Sequence, residues 1–475
     1  MTIYQGKIKY ISGEPGTGKG NHIKAQCKLP GRKLVVQPTI KLINEFSRGM
    51  IDVKVLHSES FKGDLLSEIH MYLMKPEDCT IFITDKMFYK IDRWRLKGWK
   101  IFIDDSLNFC SVLARNKKED NIEAVYNKLF ITGGYIEIDG EGGELDSTYL
   151  SFDMCPRENV SEDMLGAWDY YNQLSGYHRR GILAKSLTTE SDKIIVWGDY
   201  DIPAYADELD ITYLANQFEM SCLYRAHADK FQKVEYSKTH WQEDNNKRIV
   251  MNYFLAGNQY GLSKNIMRTS EHIPLIQDWI LSNVENYYWS KNNDESINFT
   301  LNRESQVGVV QRGINTLQHK TSCVFMAAMN PSNVVIPHYD NIWGIQSTDL
   351  VNEWTFETLN QYIYRGVIRD YSSTQIMNVY VYDEVTAHTI SGATYNYIDI
   401  GLVSTQKKGG RPLGSTTRDD DDKVLSRRFA SWKNTNKEKL NIRALFEKWC
   451  HKQEQYADTK GLDWLDQLAR YSGEI

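Results

Sequence analysis

The chain has 475 residues, of which 41% are hydrophobic, 25% charged and 12% aromatic, and its formal charge is −6 at neutral pH. That length exceeds what one ordinary core holds, so two or three domains are expected, and the apolar and aromatic content excludes a largely disordered chain. An acidic balance excludes nucleic-acid binding driven by overall charge; any such binding needs a local basic stripe.

Lys7 to Ser12 reads as a strand and runs directly into GEPGTGKG, residues 13–20. A phosphate-binding loop needs a strand, glycines that let backbone N–H groups converge, and a helix whose N-terminus faces the anion. Gly13, Gly16 and Gly18 supply the turn, Asn21 to Lys28 a short helix, and Lys19 the cation for the β- and γ-phosphates. Gly13, Glu14, Pro15, Gly16, Thr17, Gly18, Lys19, Gly20 and Asn21 are the expected ATP-binding residues. The eighth letter departs from the pattern, because Gly20 stands where Ser or Thr is usual. One hydroxyl is thereby lost from the expected Mg²⁺ shell, where water can substitute. A working but atypical loop is expected.

LVVQPT (34–39) reads as a strand before a helical IKLINEFSR, and TIFITDKMFY (80–89) as another strand. IFIDDS follows Lys100. Its apolar run fits a strand buried on both faces, and carboxylates at its C-terminal end would lie beside the loop. Asp104 is the expected metal residue, acting through water, and Asp105 the residue orienting the attacking water.

Together these segments resemble superfamily 2 helicases and translocases, of a viral or phage type. In that family, segments ending in Pro-Thr and in Thr grip the sugar-phosphate backbone, and Pro38, Thr39 and Thr84 match them. Leu214, Ala215 and Asn216, within ITYLANQFE (211–219), loosely match the coupling segment. Between lies a region of about 111–190 containing YIEIDGEGGELDSTYLSF (135–152), which reads as a β-hairpin, an ornament or a strand-separating pin.

The pattern restarts with RIVMNYFLAG as a buried strand, HIPLIQDWILSNV as an amphipathic helix and SINFTLN (296–302) as a short strand. Arg312, Gly313, Ile314 and Asn315, followed by strand CVFMAAM and Asn330-Pro331, resemble the family's Arg-Gly-Ile-Asp segment, which implies nucleic-acid contact through Arg312 and Gly313. LNQYIYRGVIRDY (359–371) resembles its arginine-finger helix, implying Gln361 at the nucleotide and Arg365 and Arg369 as catalytic arginines on one helix face.

KKGGRPLGSTTRDDDDK (407–423) reads as a linker whose GGRP resembles an AT-hook core with Arg411 in the minor groove. From 423 to 452, nine Lys or Arg, among them Arg427 and Arg428, are interleaved with Phe429, Trp432, Phe446 and Trp449. Such a segment suits single-strand binding by charge and stacking, or a helical unit docking its aromatics.

The seven cysteines are scattered and odd in number, without zinc-ligand spacing, which fits free thiols in a reducing compartment. The N-terminus lacks the apolar stretch of a signal peptide, and no run approaches the roughly 18 apolar residues of a membrane span. A cytoplasmic protein without a membrane partner is expected.

The expected fold is α/β, with two tandem RecA-like P-loop domains (1–240 and 241–400) built on parallel sheets. A linker (401–423) and a small, basic, mainly helical C-terminal appendage (424–475) follow. The expected function is an ATP- and Mg²⁺-dependent helicase or translocase acting on single-stranded or forked DNA, with replication proteins as further partners. Two alternatives stay open: a P-loop nucleic-acid-binding protein with little hydrolysis, and a DNA-packaging-type motor ATPase.

Overall fold

The computed structural model describes residues 7–116, 129–136, 149–187, 191, 193–238, 245–257, 261–310, 316–402, 429, 446, 447 and 449–451. The chain divides into two compact units, Met1–Ser404 and Thr405–Ile475.

In the first unit, seven parallel strands make one sheet: β1 (Ile8–Ser12), β2 (Lys33–Gln37), β3 (Val53–Val55), β4 (Thr80–Thr84), β5 (Lys100–Asp104), β11 (Asp210–Ala215) and β12 (Phe231–Lys233). Their order is β12-β1-β11-β5-β2-β4-β3. The strands are near-continuous apolar runs because both faces are covered. Ile11, Val35, Phe82, Phe102 and Leu214 pack with Ile23 of helix α1 (Lys19–Cys27) and with Ile43 and Phe46 of α2 (Ile40–Ser47). Tyr10, Leu34, Val36, Ile81, Ile83, Ile101, Ile103 and Tyr213 belong to a second, larger cluster. Alternation along each strand thus sorts side chains to two cores. That larger cluster also takes Ile69 and Leu73 from α3 (Leu65–Leu73), whose N-terminus Asp64 caps by accepting from the Leu66 and Ser67 N–H groups. Losing such a cap costs about 1 kcal/mol.

The inserted region is more than a hairpin. Strands β6 (Cys110–Asn116), β7 (Phe130–Ile136), β8 (Tyr149–Met154), β9 (Arg179–Leu183) and β10 (Lys193–Asp199) form a five-stranded antiparallel sheet in the order β6-β10-β9-β8-β7. The expected hairpin pairing is there, Tyr135 opposite Leu150 and Ile136 opposite Tyr149, but as one edge of this sheet. The sheet has its own core of Phe130, Phe152, Ile182 and Val196 under Tyr171 and Leu174. Asp199 is fully buried and held by the forked guanidinium of Arg179 directly opposite it. Burial pushes the Asp199 carboxyl up in pKa, while the arginine counters that shift.

The third sheet is parallel, with β13 (Ile249–Leu255), β14 (Tyr287–Lys291), β15 (Ser322–Met326), β16 (Met377–Asp383) and β17 (Thr394–Tyr397) in the order β14-β15-β16-β13-β17. Helix α4 (His272–Asn283) covers one face through Ile273, Ile276 and Ile280. The α/β class and the two parallel sheets are as expected. SINFTLN is not a strand. Ile297, Phe299 and Leu301 alternate inward, but backbone groups of this stretch bond to side chains instead of a ladder. Lys291 Nζ donates to the Ile297 carbonyl at 2.7 Å, Trp289 Nε1 to that of Asn302 at 2.7 Å, and Thr300 N–H to Gln277 Oε1 at 2.7 Å.

Helix α5 (Val335–Trp343) follows β15 in sequence yet packs elsewhere: its Tyr339, with Ile345 and Leu350 just after the helix, joins the larger core of the first sheet. Its His338 lies 3.0 Å from the Tyr149 hydroxyl of the antiparallel sheet, and burial pushes the imidazole down to about 3, so the ring is neutral. Helix α6 (Ser347–Val351) continues through a π-helical stretch, Asn352–Glu357, into α7 (Thr358–Ile363).

In the second unit, Phe429, Phe446 and Trp449 pack on one another with ring centroids 5.7–5.9 Å apart. Both phenylalanines are buried. The linker 407–423, Arg411, Arg427, Arg428 and Trp432 lie outside the described residues.

Candidate nucleotide-binding cleft

The loop begins where β1 ends. Gly16 and Gly18 take left-handed φ angles of +86° and +91°, which glycine reaches without the steric cost of a Cβ. Gly18 is also the residue before α1, so the loop turns straight into the helix. Thr17 is buried, donates to the Glu14 carbonyl at 2.7 Å, and accepts a bond from the Tyr236 hydroxyl. Lys19 Nζ donates to the carbonyls of Gly13 and Glu14, the latter at 2.9 Å. Burial pushes this ammonium down to about 8, against the opposing pull of Asp104 and Asp105.

Strand β11 lies between β1 and β5 and ties the loop to the acids. Gly13 N–H donates to the Ala215 carbonyl at 3.1 Å, and Asp105 N–H to that of Leu214 at 2.9 Å. Gln37, at the end of β2, donates to Asp104 Oδ2 at 3.2 Å and so holds the carboxylate's orientation. Asp105 has φ +100°, a left-handed conformation unusual for a side chain, and its Oδ1 accepts from Ser106 N–H at 2.8 Å. Strain of this kind costs on the order of 1–3 kcal/mol and concentrates at functional sites.

The second parallel sheet brings its arginines to the same place. A cavity of about 420 Å³ has loop residues Gly16 to Asn21, except Thr17, on one side, with Asp104, Asp105 and Asn216. Gln361, Arg365, Arg369 and Tyr371 also line it. The arginines reach it differently from the expected helix face. Helix α7 stops at Ile363, ahead of both; Arg365 follows in a turn and Arg369 ends a 3-10 turn, Val367–Arg369. The break is at Gly366, where a Cβ would meet the Met377 side chain at 2.7 Å and the Lys320 carbonyl at 3.0 Å. Val367 N–H then bonds to that carbonyl at 2.9 Å, drawing the chain onto the sheet. Burial pushes Arg365 down to about 10 and Arg369 downward, with the charge of Arg369 adding to the shift at Arg365. Glu45 opposes both shifts, and at neutral pH both guanidiniums keep their charge.

A polar chain joins the end of β11 to this wall. Asn216 Nδ2 lies 3.5 Å from Glu357 Oε1, and the same oxygen accepts from the Gln361 amide. Glu357 closes the π-helical stretch, an irregularity often found at functional sites.

Other expected residues sit at strand ends. Pro38 and Thr39 follow β2, and Thr39 Oγ1 caps α2 by accepting from Leu42 N–H at 3.1 Å, which leaves its own hydroxyl proton to donate. Thr84 ends β4 and is half-buried. Arg312 and Gly313 fall outside the described residues. Sequence reading missed Lys24, Leu42, Glu45, Phe46 and Tyr371, all of which line the cavity. Leu42, Glu45 and Phe46 share one face of α2 at i, i+3 and i+4, and Asn21 and Lys24 share one of α1, so helical spacing was a usable signal. Tyr371 had none.

No protein-family model matches the chain, and no curated protein does. Among solved structures, one titled XPD_APO aligns at 10% identity and TM-score 0.47 over 83% of this chain and 98% of that one. Xpd4 of S. tokodaii aligns at 10% and 0.45, over 83% and 97%. UvsW of T4 aligns at 9% and 0.23, over 90% and 73%. At such scores the likeness assigns no role to any residue. Among the described residues no helix is long and apolar enough to cross a membrane.

Proposed function

We propose that this chain is a nucleic-acid-dependent ATPase that works as a helicase or translocase on DNA. The observation that supports it is the cleft: a glycine-rich loop with its lysine, two strand-end aspartates, the buried Arg365 and the half-buried Arg369 from the turn leading into the second parallel sheet line one cavity. Lys19 and the loop N–H groups would hold the phosphates, and Asp105 would orient the attacking water. Arg365 and Arg369 would neutralise charge developing on the transferred phosphoryl group. Because the arginines ride on the other sheet, cleft closure and hydrolysis would be linked. The Asn216–Glu357–Gln361 chain offers a route between the sheets.

Asp104 is the residue that would hold Mg²⁺, oriented by Gln37. Among the described residues no group of three His, Cys, Asp or Glu side chains could hold a metal. That donor set fits an ion bound mainly through phosphates and waters with one carboxylate, as Mg²⁺ commonly is. When bound, the ion would offset phosphate charge.

Pro38, Thr39 and Thr84 would contact the nucleic-acid backbone, and Arg312, Gly313, Arg411, Arg427, Arg428 and Trp432 are proposed to join them. The setting favoured by the sequence resemblance is phage replication or recombination. A second reading, a nucleotide-binding protein with little turnover, is favoured by Phe46 crowding the position where the loop's usual hydroxyl residue would stand.

The test is Mg²⁺-dependent ATP hydrolysis with and without single-stranded DNA, then unwinding of forked and tailed duplexes. Stimulation by DNA, abolished in Lys19→Ala and Asp104→Ala, is expected. Wild-type hydrolysis in either variant would remove the site from this cleft, and nucleotide binding without turnover would favour the second reading.

A further inference from the structure

The arginine turn touches the phosphate loop through a residue outside the arginine pair. Tyr371 lies two residues beyond Arg369, and a Cβ built on Gly16 would fall 1.6 Å from its hydroxyl oxygen and 2.9 Å from its Cζ. The phenol is therefore seated directly on the loop, in space left by the glycine's missing side chain. No other residue type at position 16 would admit it, and φ of +86° excludes most side chains there independently.

The turn that presents the ring is stiff. Arg248, the residue just before β13, donates to the carbonyls of Val367 at 3.2 Å, Asp370 at 3.3 Å and Gln375 at 3.2 Å. Asp370 Oδ1 in turn accepts from the Ser372 N–H at 3.0 Å and from the Ser372 hydroxyl at 2.6 Å. Arg369 and Tyr371 thus leave one anchored turn in fixed relation. A shift of the ring on the loop moves the arginine by a similar amount, and misplacement of about 1 Å can cost about a hundredfold in rate.

We propose that Tyr371 is a positioning residue whose hydroxyl, seated on Gly16, sets the register of the arginine turn against the phosphate loop. This rests on the ATPase reading above. It adds a contact between the sheets that is made at the loop itself and not through the substrate.

The experiment is a double-mutant cycle on Gly16→Ala and Tyr371→Ala, with Tyr371→Phe alongside, reading kcat, KM and direct binding of a non-hydrolysable ATP analogue. Tyr371→Phe is expected to lower kcat about tenfold with analogue binding within about twofold, because only the register contact is lost. Gly16→Ala is expected to lower kcat in both backgrounds, because φ of +86° strains an alanine whatever the ring does, but at least tenfold less steeply once Tyr371 is Ala, since the added methyl then has no phenol to expel. Multiplicative effects of the two substitutions would overturn the role of Tyr371 while leaving the ATPase reading intact. So would a Tyr371→Phe variant with unchanged kcat, or one in which binding falls as far as kcat. Absence of hydrolysis by the wild type would overturn both.

Discussion

Phe46 lies against Gly20: a Cβ on that glycine would come within 3.1 Å of the ring carbon Cε2. The odd eighth letter of the loop is thus half of a pair, and the other half is an aromatic residue on α2. The ring is held by Phe82 at 5.9 Å between centroids and by the Lys24 ammonium 4.9 Å above it, so it cannot withdraw freely.

Restoring the usual residue should therefore destabilise the protein. Gly20→Thr gains a few tenths of a kcal/mol in helix propensity but overpacks the ring, at a cost of about 1–3 kcal/mol. A lowered Tm is expected, recovered when Phe46→Leu is added. Turnover of the double variant should stay within about tenfold of wild type, which corresponds to about 1.4 kcal/mol in the barrier. A higher Tm for Gly20→Thr alone would show that the pair is not coupled.

Nucleotide binding should take up a proton just above neutral pH. The free Lys19 ammonium, pushed down to about 8, is partly deprotonated at pH 8.5. Phosphate oxygens beside it favour the charged form and raise its pKa, so binding draws a proton from solvent. Calorimetry of ATP-analogue binding in buffers of differing ionisation enthalpy should report uptake at pH 8.5 and little at pH 6.5, where the lysine is already charged. Affinity should fall as pH rises through the free-state pKa. Equal uptake at both values would place the titrating group elsewhere.

The arginine pair should separate chemistry from binding. Arg369→Ala is expected to lower kcat by on the order of a thousandfold with nucleotide affinity nearly intact, as for an arginine acting on the transition state. Arg365 is 9% exposed, so Arg365→Ala should lower both kcat and Tm. Steady-state kinetics with analogue binding and a melting curve on each variant decide it. Unchanged kcat in both would mean that neither guanidinium reaches the phosphates.

What the sequence alone determined lies within the reach of a few neighbouring residues. Gly16 and Gly18 require left-handed backbone, and a strand ending in such a turn, followed by a helix, is legible because each step depends on local φ and ψ. The runs KLVVQ, TIFIT and KIFID announce strands buried on both faces for the same reason, since alternation is a property of the single strand.

Tertiary structure decided the rest. SINFTLN has strand alternation but finds side-chain partners instead of a ladder, and the helix expected under Arg365 and Arg369 stops at Ile363 because Gly366 is wedged between Met377 and Lys320. The hairpin of the insert became one edge of a five-stranded sheet only because β8 pairs with β9, which in turn pairs with β10. Tyr371 on Gly16, Phe46 against Gly20 and Tyr339 in the core of the first sheet join residues from 26 to more than 300 positions apart. Contacts at that separation depend on how whole sheets and helices pack, and no local period or propensity encodes them.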